Sequence, residues 1–156
     1  MPDRFDPRRA GTLVKAARTD RHMSQAELAR AAGMSQPHVA AIESGRRIIS
    51  AEVLERLLRE ADYRPSLALE EHADAIVERA TRHGLHDLRV FGSIATGSDH
   101  FTSDIDLLVR LSSGRSYFDL AMFQNEVEKL TGFPVDVIVD DANRPSFLVD
   151  APMVAL

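Results

Sequence analysis

The sequence predicts two domains of different fold class, an all-α bundle over residues 1–64 and an α/β (α+β) domain over residues 65–156. In the first part, apolar residues recur at helical spacing, and no run is typical of a strand. In the second part, short runs rich in leucine and β-branched residues alternate with amphipathic helical segments. Pro65 separates the two patterns, because the residue before a proline is disfavoured in a helix. We therefore place the domain boundary after Arg64.

Composition narrows the classes of function. Hydrophobic residues make up 44% of the chain, which is typical of a globular protein. The absence of cysteine excludes disulfides, thiol nucleophiles and zinc sites built on thiolates. The first residues, "MPDRFDPRRAG", lack the apolar core of a signal peptide, and no window is long and apolar enough to span a membrane. We therefore expect a cytoplasmic protein.

Charge divides unevenly between the two predicted domains. Residues 1–64 contain 12 lysines and arginines against 9 acidic residues, a net charge of +3, whereas the remainder contains 7 against 15, a net charge of −8. A mildly basic first domain suits contact with nucleic acid. A strongly acidic second domain could gather metal ions. Solvated faces also produce such imbalances, so the charge alone does not decide between these interpretations.

Helix signals define the first domain. One helix is predicted over Pro7 to Thr19. A second begins at Ser24, with Glu27 as its capping-box partner, and ends at Gly33. A third follows at once, with Ser35 as its N-cap. A fourth, "SAEVLERLLREA", has an amphipathic stripe of leucine and valine.

The tight glycine turn between the second and third helices is typical of a helix-turn-helix motif. The segment from Ser24 to Arg47, "SQAELARAAGMSQPHVAAIESGRR", resembles the Xre/phage-repressor family of helix-turn-helix domains. This resemblance implies an all-α five-helix bundle over about residues 7–64 that binds double-stranded operator DNA. Because a single module buries little surface on DNA, we expect dimers on a palindromic operator.

The same resemblance implies a set of DNA contacts. Gln25 and Ser35 would bind phosphate or a nearby base, and Arg46 and Arg47 would bind backbone phosphate. The residues predicted to face base edges are Gln36 and His38. Glutamine at this position can make the paired hydrogen bonds that select adenine. The alternative is a helical bundle of this kind that binds another protein.

In the second domain the expected order is helix, strand, strand, helix, strand. The first helix follows Pro65, is capped by Ser66 and ends at Gly84. The strands are "LRVFG", "IDLLVRL" and "PVDVIVD", and the amphipathic helix between the last two is "YFDLAMFQNEVEKLTG". Pro145 and Pro152 argue against one long helix in the tail.

Two aspartates lie at the start of the second of these strands. The side chains of Asp104 and Asp106 point to the same face, because the pleat of a strand has a period of two. Two buried like charges are costly unless a cation neutralises them, and carboxylates suit Mg²⁺ or Mn²⁺. The sequence therefore predicts a metal site, with Asp136 of the next strand as a third candidate carboxylate.

A glycine-serine turn comes just before these aspartates. Gly92 ends a strand and lets a phosphate approach the backbone, and Ser93 begins a short helix whose N-terminal amides can bind phosphate oxygens. Together with the carboxylates, this turn would suit phosphoryl-group transfer from a nucleotide bound with metal ions.

The pattern Gly92-Ser93, Gly97, "SDIDLLV" and Asp136 resembles the polymerase-β-like nucleotidyltransferases, especially the minimal nucleotidyltransferases (MNT). The resemblance implies the minimal nucleotidyltransferase fold, an α/β (α+β) domain with a small mixed sheet. It implies that Asp104, Asp106 and Asp136 are catalytic and hold Mg²⁺ (or Mn²⁺). It also implies that Gly92 and Ser93 bind the triphosphate of ATP, the nucleotide substrate.

One position departs from the MNT pattern. Minimal members often have a basic residue just before the glycine of the loop, where this chain has Thr96. A phosphate contact could instead come from Arg89 or Arg115. The alternatives are a nucleotidyltransferase fold that has lost activity, or an aspartate pair that merely caps a loop.

The two resemblances together imply a combined function. Minimal nucleotidyltransferases are often antitoxins of HEPN-type toxins, in HEPN/MNT toxin-antitoxin systems. The chain would be a Mg-dependent protein adenylyltransferase that transfers AMP to a hydroxyl of a HEPN-type toxin, and an autorepressor of its own operator. We expect a homo-oligomer, or a hetero-oligomer with the toxin. Two alternatives remain open: a DNA-binding repressor whose inactive second domain binds nucleotide or toxin stoichiometrically, and an enzyme that modifies a small molecule.

Overall fold

The computed structural model describes residues 3–156, and it confirms the predicted helical part followed by an α/β part. Within residues 3–64, the structure has a one-turn 3-10 helix and four α-helices. Their bounds are Pro7–Arg9 for the 3-10 helix, Ala10–Asp20 for α1, Gln25–Ala32 for α2, Gln36–Glu43 for α3 and Ala51–Glu60 for α4. The first predicted helix is thus divided, because Asp6 caps a separate 3-10 turn.

The N-terminus of α2 has the predicted cap. The Ser24 hydroxyl accepts from the Glu27 amide at 3.0 Å, and the Glu27 carboxylate accepts from the Ser24 amide at 3.1 Å. Gly33 ends the helix in the left-handed conformation. Ser35 occupies the N-cap position of α3, but its side chain makes no capping hydrogen bond. The helix-turn-helix is therefore fixed mainly at the start of α2, where the capping box provides partners for the amides of Ser24 and Glu27.

Gly11 sets how closely α1 approaches α3. A Cβ atom built on Gly11 would lie 2.8 Å from the carbonyl oxygen of Glu43 and 2.9 Å from that of Ile42. Such distances are shorter than any ordinary contact, and backbone atoms cannot move aside easily. Only glycine lets α1 pack directly against the C-terminal end of α3.

The second part is a four-stranded mixed sheet with helices on one face. Its elements are α5 (Pro65–Arg82), β1 (Leu85–Phe91), α6 (Ser93–Thr96), β2 (Ile105–Leu111), α7 (Tyr117–Thr131), β3 (Val135–Val139), a one-turn 3-10 helix (Ser146–Leu148) and β4 (Val154–Ala155). The strand order is β3-β2-β1-β4. β2 and β3 are parallel, and β1 is antiparallel to both β2 and β4. The sequence did not predict β4, which has only two residues.

The start of α5 differs from its prediction. Arg64 occupies the N-cap position and Pro65 is the first helical residue, so Ser66 lies inside the first turn and its hydroxyl caps nothing. The Ser66 amide instead donates to a carboxylate oxygen of Asp99, at 2.8 Å. A residue 33 positions later thus performs the capping that a local serine was expected to perform.

The two faces of the sheet have different environments. Alternate residues of β2, including Ile105, Leu107 and Val109, belong to the core beneath α5 and α7. On the other face, Leu108 packs with Phe91 and with Leu148 of the C-terminal segment. Because the pleat alternates, the even-numbered residues of β2, among them Asp106, lie on this second face.

The helical part and the sheet part share one hydrophobic core. Phe5 packs against Phe101 and Phe133, and Tyr63 packs against Phe133, with ring centroids 5.7 to 6.1 Å apart. All four rings are buried. Within residues 3–156, no helix has the length and apolarity needed to cross a lipid bilayer.

The close approach at Gly11 gives a stability prediction. Gly11→Ala places a methyl group against the carbonyls of α3, so we expect the free energy of unfolding to fall by about 1 to 3 kcal/mol. Chemical denaturation monitored by circular dichroism measures this change. The control is Thr12→Ala in the same helix, where the side chain is exposed. Equal denaturation midpoints for G11A and T12A would contradict the packing assigned to Gly11.

Candidate functional site

The turn between β1 and α6 brings the backbone against a carboxylate. Gly92 adopts φ 72° and ψ −147°, a conformation available to glycine and costly for other residues. A Cβ atom at this position would collide with the Asp106 carboxylate. Glycine is therefore required twice, once for the turn and once to admit Asp106. Ser93 begins α6, as predicted.

Strand pairing places Asp106 beside Asp136. In the parallel pair of β2 and β3 these two residues are direct partners, and on the other side of β2 the partner of Asp106 is Phe91. Adjacent strands lie about 4.8 Å apart, and paired residues project from the same face of the sheet. Asp104 lies just before β2 and, like Asp136, is exposed.

The three carboxylates interact electrostatically. Burial raises the pKa of Asp106 above its ordinary value, and the negative charges of Asp136 and then Asp104 raise it further. Each effect disfavours the ionised form of a half-buried carboxylate. The structure therefore brings the three predicted acidic residues to one end of the sheet, next to Gly92.

Two of these carboxylates at a time could hold a divalent metal ion together with a phosphate group. Among residues 3–156, no three histidine, aspartate or glutamate side chains are gathered closely enough to form a complete metal cage. Mg²⁺ is usually bound by only one or two carboxylates, with water and substrate phosphates as its other ligands. The neighbouring carboxylates of Asp106 and Asp136 fit that mode, and a cation would offset the burial and the repulsion that raise the pKa of Asp106.

The loop after Ser93 is neutral. The Thr96 hydroxyl hydrogen-bonds the Ser98 hydroxyl at 2.8 Å and donates to the Ser93 carbonyl at 3.2 Å, so this side chain is used within the loop.

The two arginines suggested as substitutes form ion pairs with acidic residues outside this loop. Arg89 forms an ion pair with Asp140, beyond the far end of β3, and the Arg115 guanidinium is 3.4 Å from Asp119 at the start of α7. Gly92 is at the opposite end of the sheet, because β1 runs from Leu85 to Phe91. Arg115 therefore lies at the wrong end of the sheet to replace the missing basic residue. A phosphate contact from Arg89, three residues before Gly92, stays a prediction.

Helix α3 presents its first turn at the surface. Ser35 and Gln36 are exposed. The Gln36 amide donates to the Gln25 side-chain oxygen at 2.8 Å, and the Gln25 amide donates to a Glu43 carboxylate oxygen at 2.7 Å. The first residues of α2 and α3 are therefore joined by side-chain hydrogen bonds into one polar surface.

An ion pair beneath this surface holds it in place. The Arg18 guanidinium donates to the Glu43 carboxylate at 2.6 Å and to the Met23 carbonyl at 2.8 Å. Burial acts to raise the pKa of Glu43, but the hydrogen bonds from Arg18 and Gln25 outweigh it and leave that pKa lowered. The sequence did not predict this pair, because no local pattern connects two residues 25 positions apart.

The remaining predicted DNA contacts differ in exposure. Arg46 and Arg47 are exposed beyond the end of α3, and the Arg46 guanidinium donates to the Ser44 hydroxyl at 3.0 Å. His38 is partly buried, and its Nε2 atom is enclosed without a hydrogen-bond partner among residues 3–156. Of the two side chains predicted to face base edges, Gln36 is thus the accessible one, and a contact from His38 stays a prediction.

A family model matches each of the two parts of the chain. The family model "Nucleotidyltransferase domain" matches residues 69–153, and the model "Helix-turn-helix" matches residues 14–67. The chain belongs to the nucleotidyltransferase domain family and carries an Xre-type helix-turn-helix DNA-binding domain before the nucleotidyltransferase domain.

Each individual relative matches part of the chain. The chain is 36% identical over 70 residues to "Putative protein adenylyltransferase MJ0435" of Methanocaldococcus jannaschii, which covers 45% of this chain and 75% of the relative. It is 38% identical over 53 residues to "ImmF control region 10 kDa protein" of Bacillus phage phi105, covering 34% of this chain and 59% of that protein. A solved structure described as "Structure of putative minimal nucleotidyltransferase" is 36% identical, covers 47% of this chain and 76% of its own, and has a TM-score of 0.45.

The carboxylate cluster gives a titration prediction. In the presence of a metal chelator, we expect the pKa of Asp106 to lie above the ordinary aspartate value and to fall in Asp136→Asn, because one repelling charge is removed. Carboxyl ¹³C NMR titration measures it.

A stability measurement tests the same shift. Because the folded-state pKa of Asp106 is raised, its contribution to stability is full below the unfolded pKa and is lost as pH rises through the folded pKa. Asp106→Asn should remove this part of the pH dependence of unfolding. The exposed Asp150→Asn should leave both measurements unchanged; an Asp106 pKa equal in D136N and wild type would contradict the geometry.

Proposed function

We propose that this chain transfers AMP from ATP to a hydroxyl group of a HEPN-type toxin, and represses transcription from its own operator. The observation on which the proposal rests is the position of Asp106, which contacts Gly92 and pairs with Asp136 in a chain that also has a DNA-binding domain. The name of the archaeal relative, a protein adenylyltransferase, supports AMP as the transferred group and a protein as its acceptor.

The proposed reaction uses the carboxylates and the glycine-serine turn in different roles. The acceptor hydroxyl oxygen attacks the α-phosphorus of ATP, the bond from that phosphorus to the β-phosphate oxygen breaks, and pyrophosphate leaves. Gly92 and Ser93 would hold the triphosphate, since α6 begins at this turn without a side-chain cap and the first amides of a helix have no partner within the helix. Asp136 would accept the proton of the attacking hydroxyl. Mg²⁺ held by Asp104, Asp106 and Asp136 would neutralise charge on the phosphates.

The proposed repression depends on the first turns of α2 and α3. Gln36 would contact a base edge, supported by Gln25, which is itself fixed by Glu43. Ser35, Arg46 and Arg47 would bind the phosphate backbone, together with Gln25 at the start of α2. His38 would contribute only through the exposed part of its ring.

One observation favours a second function. Thr96 and its neighbours place no cationic side chain in the loop that would cover the nucleotide phosphates. A domain that binds nucleotide or toxin without transferring AMP would fit that loop equally well. In that case the chain would be a repressor that protects against the toxin by stoichiometric binding.

A labelling experiment distinguishes the two functions. With ATP labelled at the α-phosphate, Mg²⁺ and a HEPN-type partner, we expect label to appear on the partner and to decrease about 100-fold in Asp104→Asn. Asp104 is exposed, so this change should leave the fold intact. Asp150→Asn is the control and should transfer label normally. Neutralised toxin without any label would support stoichiometric binding and reject the transferase.

Two substitutions test the DNA interface separately. Gln36→Ala should remove the preference for operator over random DNA, because a base contact is lost. Arg47→Ala should weaken binding to both sequences and lower the salt dependence by about one counterion, because a phosphate contact is lost. Gel-shift titrations at several salt concentrations measure both effects. Unchanged sequence preference in Q36A would refute the recognition role of α3.

A further inference from the structure

The loop of residues 97–104 connects the two components of the nucleotide site and is held by the helix-turn-helix half of the chain. We refer to it as the site loop. It begins after α6, which follows Gly92, and it ends at Asp104, just before β2. Asp99 and Phe101, in the middle of this loop, are buried although the loop lies outside any helix or strand. Their partners come largely from residues before Pro65 and from the first turn of α5.

Asp99 is the first attachment. Its side chain is 0% exposed. One carboxylate oxygen accepts from the Ser66 amide at 2.8 Å, and the other accepts from the Arg64 guanidinium at 3.2 Å. Arg64 also donates two hydrogen bonds to Asp20 at the end of α1, both at 2.9 Å. Arg64 therefore links the site loop to a helix of the DNA-binding domain.

Asp62 is the second attachment, and it comes from the helical half. One of its carboxylate oxygens accepts from the Phe101 amide at 2.8 Å, and the other lies 2.9 Å from Nδ1 of His100. That second oxygen also forms an ion pair with Arg21. Asp62 has φ 53°, a left-handed conformation that is costly outside glycine. The chain after α4 adopts this conformation where its carboxylate meets the site loop.

The Phe101 ring is the third attachment. It packs against Phe5 and Phe133, with centroid distances of 6.1 and 6.4 Å. The Arg4 guanidinium lies 4.3 Å from the ring centroid and also donates to the Phe101 carbonyl at 3.2 Å. The ring, amide and carbonyl of this one residue are all bound by residues of the first part or by the shared core.

We propose that Asp62 and Asp99 are positioning residues of the nucleotide site, through which the helix-turn-helix domain holds the site loop and thereby fixes Asp104. Asp104 follows Phe101 by three residues, so its location depends on where Phe101 is anchored. An unanchored loop of this length would sample many conformations and would place Asp104 correctly only part of the time. This inference rests on the proposed transferase function for its kinetic consequence.

The side chain of Asp62 can be removed without changing the backbone conformation. Asp62→Gly removes the carboxylate, and glycine adopts the left-handed backbone readily, so the backbone conformation is preserved. Asp62→Asn keeps an oxygen for the Phe101 amide and also tolerates this conformation, which makes it the conservative rescue variant. Asp87→Gly is the matched control, because Asp87 also has φ 53° but lies in β1, far from the site loop.

Two measurements on the full-length chain test the proposal. Hydrogen exchange should be about tenfold faster at the amides of residues 98–104 in D62G, and near the wild-type rate in D62N and D87G. In the labelling assay, kcat should fall about tenfold in D62G with the KM for ATP within about twofold, because Asp104 is displaced while the glycine-serine turn is intact. D62N should recover most of the lost kcat.

Three results would overturn the positioning role. These are wild-type exchange of residues 98–104 in D62G, an unchanged kcat in an active enzyme, and equal kcat losses in D62G and D87G. If wild-type protein transfers no label, the proposed transferase fails; faster exchange confined to D62G would still support anchoring of the site loop by the helix-turn-helix domain. Thermal unfolding of all three variants identifies any global loss of structure, and D62N then decides whether the lost oxygen is responsible.

Discussion

The repulsion between carboxylates at one end of the sheet is the constraint on which the candidate site depends. Parallel pairing of β2 with β3 places Asp106 beside Asp136, and the glycine at position 92 leaves just enough room for the Asp106 side chain. Burial and neighbouring charge both raise the pKa of Asp106, so the fold maintains an unfavourable arrangement. Such an arrangement is costly for stability alone and is expected where a cation and a phosphate group complete the site.

The rest of the chain supports this end of the sheet from two directions. On one face, α5 and α7 bury the apolar residues of β1 and β2, and on the other Leu148 covers Phe91 and Leu108. From the side, the DNA-binding half contributes Arg64, Asp62 and Phe5, which bind the loop that leads to the carboxylates. The two halves are therefore joined by the ion pair of Arg64 with the buried carboxylate of Asp99, by the hydrogen bond from the Phe101 amide to Asp62 and by aromatic packing, as well as by the chain itself.

Features held by residues close together in the sequence were predicted correctly, and features held by residues far apart were not. The capping box of α2 was predictable because Ser24 and Glu27 are three residues apart and satisfy each other's neighbouring amides. The N-cap of α5 was predicted wrongly because the amide of Ser66 binds Asp99, a partner contributed by a distant loop. The suggested role of Arg115 failed for the same reason, since its ion-pair partner Asp119 lies at the other end of the sheet.

By itself, the sequence determined the helix-turn-helix, the order of the helices and the three longer strands, and the identity of the acidic and glycine residues of the candidate site. These follow from short-range rules: helical spacing, strand alternation, capping and turn chemistry. Only the tertiary structure decided that Asp106 pairs with Asp136, that Glu43 is held by Arg18, and that the DNA-binding half holds the loop before Asp104. Those contacts join residues far apart in the chain, and they exist only because packing of the shared core brings their elements together.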